Sequence, residues 1–561
     1  MRDSVRIALD VVLPQGLPEG ARVPTVLTMT RYWRGWDGDG PNDLQRFFSS
    51  HGYAVVWGDS RGTGASFGQW PHHRSRDEVA DFGEIMDWIT AQPWSDGTVA
   101  GWGNSYTANT NDWFAQVGRP SFRAGISRFP DHDPYTDLYF PGGVPNAYMG
   151  RNWGLRVKDM DLNLPRSRGG APPVGVRPVD EDVDGSILAA AVEARRDVPS
   201  VWESFQVLTY KDEVMPLWRG LSMDDWGIHS HAEEVEASGS AIYSWASWTD
   251  AGTAQGVLHR FMTLSNPQRA VISAWSHGAR QDTDPFHAAD HPLDPTIEEQ
   301  RLEDLCFLEA YVRRDGGPMH ELVYRTMGED GWKRTTEWPL RRIREEVWYL
   351  REGGLLSTEA PLTAGADQYA VDFTHTTGER NRWATNNGAG DVVYPDRAEE
   401  DAKLLTYTSA PLGGDVEVTG YPVVTLRLRS SHRDGAVFIY LEDVAPDGRV
   451  LYIGEGQIRL IHRKESEELP PFATAGPYHS FKEADAAPMV PGELEEVVFA
   501  LHPTSVLFRA GHRIRIAIGG ADAGTFARVP AVGDPVWTVE RGVETPSFVT
   551  LPVIPRDSGG R

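Results

Sequence analysis

The sequence predicts an α/β protein: a mainly parallel sheet interrupted by a helical insertion and followed by an all-β domain. Three observations carry this expectation. Short apolar segments, Val23 to Met29 and Tyr53 to Trp57 among them, alternate with the amphipathic stretch Asp77 to Thr90. From Asp133 to Ser238 the pattern breaks into helix-like pieces with Gly142-Gly143 and Pro172-Pro173 between them. Beyond Arg342, β-type segments such as Val423 to Leu428 and Arg513 to Ile518 are separated by turn signals, and long helical periods are missing.

Val5, Ile7, Leu9 and Val11 alternate with Arg6, Ala8 and Asp10, which reads as a half-buried strand. The strand at Val23 leads into Thr30-Arg31-Tyr32-Trp33, and the strand at Tyr53 runs into the glycine-rich Gly58 to Gly68. In Asp77 to Thr90, Val79, Phe82, Ile85, Met86 and Ile89 share one helical face. The turn signal Asp96-Gly97 precedes a short strand from Thr98 that ends in Gly103-Asn104-Ser105, with a helix expected after the serine. The expected insertion contains helical pieces at Ser186 to Arg195 and Val201 to Tyr210, and such insertions often cover a site as a lid. The sheet pattern returns at Ser240 to Trp245 and at Arg269 to Ala274, and Glu298 to Val312 reads as a helix. The segments beyond Arg342 are expected to form a β-sandwich of about 200 residues.

At 561 residues the chain is too long for one core. The formal charge of -26 argues against nucleic acid and anionic membrane surfaces as partners. A single cysteine, Cys306, allows no intramolecular disulfide and fits a reducing compartment. With no apolar run of about eighteen residues and no leader-like N-terminal stretch, the expected location is cytoplasmic. A homodimer is compatible with these features.

Ser105 sits where a strand would turn sharply into a helix. Gly103, two positions earlier, suits such a crowded turn, and the following helix would point free N–H groups back at the serine. Thr107 stands where the generic G-x-S-x-G pattern has glycine. Tyr32, Asp250 and His277 also fall just past expected strands, on the rim where sites form in parallel sheets. The order Ser105, Asp250, His277 is the order used by serine hydrolases of this sheet class. Serine needs a base, and His277 can supply it. Asp250 would fix the tautomer of the imidazole. Tyr106 would offer its backbone N–H to an oxyanion. Trp33, Trp36, Trp248 and Trp275 lie close in sequence to these residues and are expected to line a substrate pocket. Asp59 and Arg61 are expected to brace their own loop. Asp282, Asp284, His287, Asp290 and His291 have metal-ligand chemistry, but their spacing matches no standard pattern, so the sequence reading assigns no metal and no cofactor.

These residues give the chain a resemblance, over nearly its whole length, to the family of cocaine esterase, the α-amino-acid ester hydrolases and the X-prolyl dipeptidyl peptidases (CocE/NonD). The family's opening signature is matched by Met1 to Val11. Its D-x-R-G-x-G-x-S-x-G segment is matched by Asp59 to Gly68, and its G-x-S-Y-x-G segment by Gly103 to Ala108. Its W-x-D segment is Trp248-Thr249-Asp250, and its P-W-S-H segment is Ala274-Trp275-Ser276-His277. Gly420-Tyr421-Pro422, Pro503-Thr504 and Gly511 to Arg515 resemble its C-terminal jelly roll. Three positions depart from the pattern: Ala108 replaces glycine, Ala274 replaces proline, and Arg31 precedes Tyr32 in place of proline.

The resemblance implies an α/β-hydrolase domain at 1–132 and 240–342, a helical cap at 133–239 and a jelly roll at 343–561. It also implies a serine hydrolase acting on a small-molecule ester or amide through an acyl-enzyme, with the Tyr32 hydroxyl as second oxyanion donor. Two alternatives stand beside it. An X-Pro dipeptidyl aminopeptidase would need an acidic group for a free amine, with Asp131, Asp133 or the Asp282 run as candidates. A ligand- or carbohydrate-binding protein would keep the fold without the chemistry.

Overall fold

The computed structural model describes residues 1–167, 170–387 and 390–556. Nine strands form the first sheet: β1 (Leu9–Val12), β2 (Val23–Thr30), β3 (Ala54–Asp59), β4 (Ser95–Asn104), β5 (Phe122–Arg128), β6 (Ala241–Ser247), β7 (Gln268–Ser273), β8 (His320–Arg325) and β9 (Trp332–Thr335). Their spatial order is β1-β3-β2-β4-β5-β6-β7-β8-β9. The pairs from β3 through β8 are parallel, and β1 and β9 close the edges antiparallel. Central strands buried on both faces explain the near-continuous apolar runs of the sequence.

The first strand is shorter than the alternation from Val5 suggested. Residues Arg6 and Ala8 bond instead to the Asp59–Gly68 loop, through Phe67 N to Arg6 O and Ala8 N to Ser66 Oγ, both 2.9 Å. That loop is self-braced as expected. Asp59 is buried and accepts from the backbone of Arg34 and Ala65, and Arg61 pairs with Asp81 and Asp3. The helix Arg76–Thr90 begins where Ser75 caps Glu78 N, and it buries Phe82, Ile85, Met86 and Ile89. The helix Ile297–Tyr311 opens on a reciprocal Thr296/Glu299 cap.

Between β5 and β6 lie the helices Ala147–Asp161, Ser186–Glu193, Val201–Phe205 and Ala232–Ser238, joined by short 3-10 turns and irregular chain. This is the helical cap. Its longest helix, Ala147–Asp161, starts at the Asn146 cap and packs Trp153, Val157 and Met149 inward.

From Arg344 onward the described chain is a jelly-roll domain of strands, paired antiparallel apart from the short parallel contact of Leu355–Ser357 with Leu405–Ser409. The two domains share one apolar core: Trp248, Phe261, Tyr324 and Trp338 belong to the same buried cluster as Leu350, Val424, Ile516 and Trp537. A short helix of the second domain, Arg382–Asn386, reaches back to the rim of the first sheet. Among the described residues no helix is long and apolar enough to cross a membrane.

Candidate active site

Ser105 follows β4 and caps the helix Tyr106–Gln116. Its backbone lies at φ 63 and ψ -130, a region that costs a non-glycine residue on the order of 1–3 kcal/mol and persists only when surroundings enforce it. The enforcing contacts are visible. Ser105 N donates to Arg128 O at 2.8 Å, and Ser105 O accepts from Ala108 N at 2.8 Å. Gly103 is required for a measurable reason, since a Cβ there would lie 1.9 Å from Thr107 O. Thr107 is itself a brace, because its hydroxyl accepts from Asn104 N at 2.7 Å and donates to Asn104 O at 2.8 Å. That bond pair explains why threonine serves where the generic pattern has glycine. The Ala108 methyl is fully buried.

Tyr106 occupies the first helical position, where no intrahelical carbonyl is available to its N–H. Its side chain points away into the core. The hydroxyl is shared between Glu78 and Ser60. Burial pushes the Glu78 carboxyl up to about 7.

Tyr32 stands just past β2, and its ring meets Tyr106 edge-on at 5.9 Å. The indole of Trp153, which can only donate, gives its N–H to the Tyr32 oxygen at 2.9 Å. The tyrosine's own proton is therefore left for another acceptor. Tyr32, Ser105 and Tyr106 line one cavity, of about 420 Å³ including its solvent-open part, walled by Phe129, Tyr139 and Trp153.

Asp250 and His277 follow β6 and β7. Asp250 is fully buried, and its Oδ2 lies 2.9 Å from His277 Nδ1. A carboxylate there accepts, so Nδ1 carries the proton and Nε2 is the free ring nitrogen. Asn386 donates to both Asp250 oxygens, at 3.3 and 3.2 Å, and lines the Ser105 cavity. Beside it, Arg382 Nε donates to Ala251 O at 2.9 Å, and Ala251 N returns a bond to Arg382 O at 3.1 Å.

Three contacts among the described residues join the serine side to the histidine side. Phe129 lines the Ser105 cavity and meets the His277 ring edge-on at 5.4 Å. A Cβ on Gly278 would lie 3.2 Å from Asn104 Oδ1, so the residue after His277 abuts the residue before Ser105. Arg128 spans the same gap, with its carbonyl on Ser105 N and its guanidinium 3.4 Å from Gly278 O.

The four tryptophans expected in the pocket are elsewhere. Trp33 donates to Met160 O and packs on Trp36 in a small cluster with Ala8 and Val176. Trp248 donates to Arg325 O and stacks on Trp338 in the interdomain core. Trp275 lies between Trp245 and Trp332 on the opposite face of the sheet core. Proximity in sequence misled because these side chains turn from the rim into the cores beneath it. The aromatic wall comes instead from Phe129 and from the cap residues Tyr139 and Trp153. Sequence reading also missed Asn386 and Arg128, and it missed the helix that brings Trp153, although the Asn146 cap and the spacing of Met149, Trp153 and Val157 signal it.

Of the acidic candidates, Asp131 and Asp133 are compensated by buried cationic partners. Asp131 pairs with Arg74 at 3.0 Å, and Asp133 pairs with Lys211 at 2.7 Å. Asp137 accepts from the His132 and Asp133 backbone and from Gln255, and burial pushes it up to about 7.

Comparison with known proteins gives this geometry a context. Residues 3–279 match the model of the X-Pro dipeptidyl-peptidase (S15 family), and residues 319–537 match the X-Pro dipeptidyl-peptidase C-terminal non-catalytic domain. A Mycobacterium bovis protein provisionally named a serine esterase is 40% identical, over 99% of this chain and 94% of its own. The cocaine esterase of a Rhodococcus species is 28% identical, over 99% of this chain and 97% of its own. An aminopeptidase from a marine-sediment Thaumarchaeota archaeon superposes with a TM-score of 0.76 at 19% identity, covering 99% of this chain and 95% of that one. That last likeness bears on the fold. By its full-length identity and its two matched models, this chain belongs to the S15 X-Pro dipeptidyl-peptidase family of serine hydrolases that includes cocaine esterase.

Proposed function

We propose that the chain hydrolyses small acyl esters through an acyl-enzyme on Ser105. His277 Nε2 takes the proton from Ser105 Oγ as the oxygen attacks the acyl carbonyl, then gives it to the departing alcohol. Water, deprotonated by the same nitrogen, attacks the acyl-enzyme, and the proton returns to Ser105 as the acid leaves. Asp250 fixes the tautomer and offsets the imidazolium charge. The Tyr106 N–H and the Tyr32 hydroxyl receive the oxyanion, each donor worth on the order of 100-fold in rate.

The observation that carries this reading is the enforced positive-φ serine at the mouth of a cavity bordered by Asn386, which also binds the Asp250 partner of His277. A strained backbone held by bonds at both its N–H and its carbonyl is worth its cost when the hydroxyl has work to do. The pairing of Asp131 with Arg74 and of Asp133 with Lys211 favours a simple ester over an X-Pro dipeptide, whose free α-amine would want one of these carboxylates uncompensated.

The test is rapid quench during turnover of p-nitrophenyl acetate, followed by peptide mapping. An acetyl group on the Ser105 peptide is expected, with acyl esters turned over far faster than Ala-Pro-anilide. Acetyl on another residue, or none during turnover, rejects Ser105. Preferred cleavage of the anilide replaces the esterase reading with the dipeptidyl one. A folded chain with no turnover and no acetylation would support the binding-protein reading.

A further inference from the structure

Five residues beyond His277 the chain turns back on itself. Asp282 bridges to Trp275, Ser276 N donates to Gln281 O at 3.0 Å, and Thr283 N donates to Ala274 O at 3.1 Å. The spacing of acidic and histidine residues in the loop that follows fits no standard ligand pattern, yet folding brings three of them together. One ligand atom each from Asp282, His287 and His291 lie within 4.8 Å of one another. The His287 and His291 rings stack with centroids 3.7 Å apart. His287 Nδ1 is 2.9 Å from Asp282 Oδ1, and its Nε2 is 3.9 Å from Asp284 Oδ2.

We propose that Asp282, His287 and His291 form a binding site for a divalent transition-metal cation of the zinc type. The donor set selects the metal: two imidazoles and a carboxylate suit Zn²⁺ and Co²⁺, whereas Ca²⁺ and Mg²⁺ want oxygen throughout. Ligands at about 2.0–2.2 Å from a tetrahedral centre stand about 3.3 Å apart, so the present spacing needs side-chain shifts on the order of 1 Å to close. The local backbone is already fixed for this. Asp284 N donates to Asp282 Oδ1 at 3.1 Å, Phe286 N to Asp284 Oδ1 at 3.0 Å, and Gly328 N to Asp284 Oδ2 at 2.9 Å. The charge balance also invites a cation. The Asp282 and Asp284 side chains are 4% and 8% exposed, and among the described residues the ion pairs recorded for them are with His287. Nearby Asp391, which pairs with Arg380 through Oδ2 at 3.6 Å, has a buried Oδ1 with no partner among the described residues. A fourth position stays open to water or to Asp284. Since Asp282 is bridged to Trp275, the ion would pin the outer end of the loop that presents His277.

The experiment uses the full-length chain stripped with EDTA and then titrated with Co²⁺ or Zn²⁺. The expected result is one equivalent retained through gel filtration, tetrahedral d–d absorption with Co²⁺, and a thermal midpoint raised by Zn²⁺. His291→Ala and Asp282→Asn should each weaken binding at least about tenfold, and His231→Ala, outside the cluster, should not. His291 is partly exposed, so His291→Gln gives a folded variant with the ligand removed should Asp282→Asn fail to fold. Retention of less than a tenth of an equivalent, an octahedral Co²⁺ spectrum, or undiminished binding by both His291 variants would overturn the site.

Discussion

The serine half and the histidine half of the site are built by different means. Ser105 is held by its own neighbourhood: Gly103 makes room, Thr107 ties Asn104, and Arg128 at the end of the adjacent strand receives Ser105 N. Asp250 and His277 are held in part from a distance, because the one donor that reaches both oxygens of the buried carboxylate among the described residues is Asn386, 136 residues on and in the jelly-roll domain. One half is thus a property of a supersecondary motif, and the other is a property of domain docking. The serine half should tolerate loosening of the domain interface, and the histidine half should not.

The largest expected effect tests whether the halves work as one unit. Ser105→Ala and His277→Ala should each lower kcat for p-nitrophenyl acetate by at least about 10⁴-fold, and the double variant should fall no further. Thermal midpoints should stay near the parent value. Additive losses would mean that the two side chains act independently. Next comes Tyr32→Phe, expected to cost on the order of 100-fold in kcat with KM little changed. The hydroxyl accepts from Trp153, so its loss also strands that indole N–H, and a small fall in stability should accompany the kinetic effect. An effect on KM alone would remove Tyr32 from the oxyanion role.

The serine half has its own pH signature. Glu78, buried against the Tyr106 hydroxyl, is raised from 4.5 to about 7, a difference worth about 3 kcal/mol. The folded chain then binds this proton more tightly than the unfolded chain. Its contribution is fully present below about pH 4.5, is lost as pH rises to about 7, and is level above that. In Glu78→Gln that loss should vanish, so denaturant titrations of parent and variant should diverge by about 3 kcal/mol between pH 4.5 and 8. Parallel curves would show that folding leaves the Glu78 carboxyl at its ordinary value.

The same contrast decides what the sequence could say. Gly103-Asn104-Ser105, with its strand before and helix after, is local, and so is the parallel alternation that builds the sheet. The β-rich texture beyond Arg342 identified the second domain, and four ordered motifs pointed to the family. The pocket wall was not legible. Trp248 and Trp275 sit beside Asp250 and His277 in sequence, yet one turns into the interdomain core and the other into the opposite core. Tyr139 closes a turn too short to give a period to read, whereas Trp153 shares a helical face with Met149 and Val157, a spacing that shows the helix but not the cavity it faces. Asn386 and Arg128 are ordinary polar residues until tertiary packing gives them partners, and the ring stacking of His287 on His291 likewise depends on a loop that spacing rules do not describe.

Asn386 yields the smallest effect and the sharpest division between the halves. Removing its amide leaves Asp250 buried with His277 and the weaker 3.4 Å contact of Thr253 Oγ1. A charged group then loses part of its solvation, and the imidazole loses part of its orientation. Asn386→Ala should lower kcat about tenfold and leave KM unchanged. Asn386→Asp has the same shape but sets a second carboxylate against Asp250, and should fall further. A merely structural asparagine would behave otherwise, with activity declining in step with the thermal midpoint and Ala and Asp equally harmful. Arg382→Lys supplies the control, because it loosens the grip on Ala251 O without touching the carboxylate. It should lower the thermal midpoint more than it lowers kcat. If Arg382→Lys and Asn386→Ala give the same ratio of activity lost to stability lost, the helix 382–386 acts only as a buttress, and the acid of the site is set by the hydrolase domain alone.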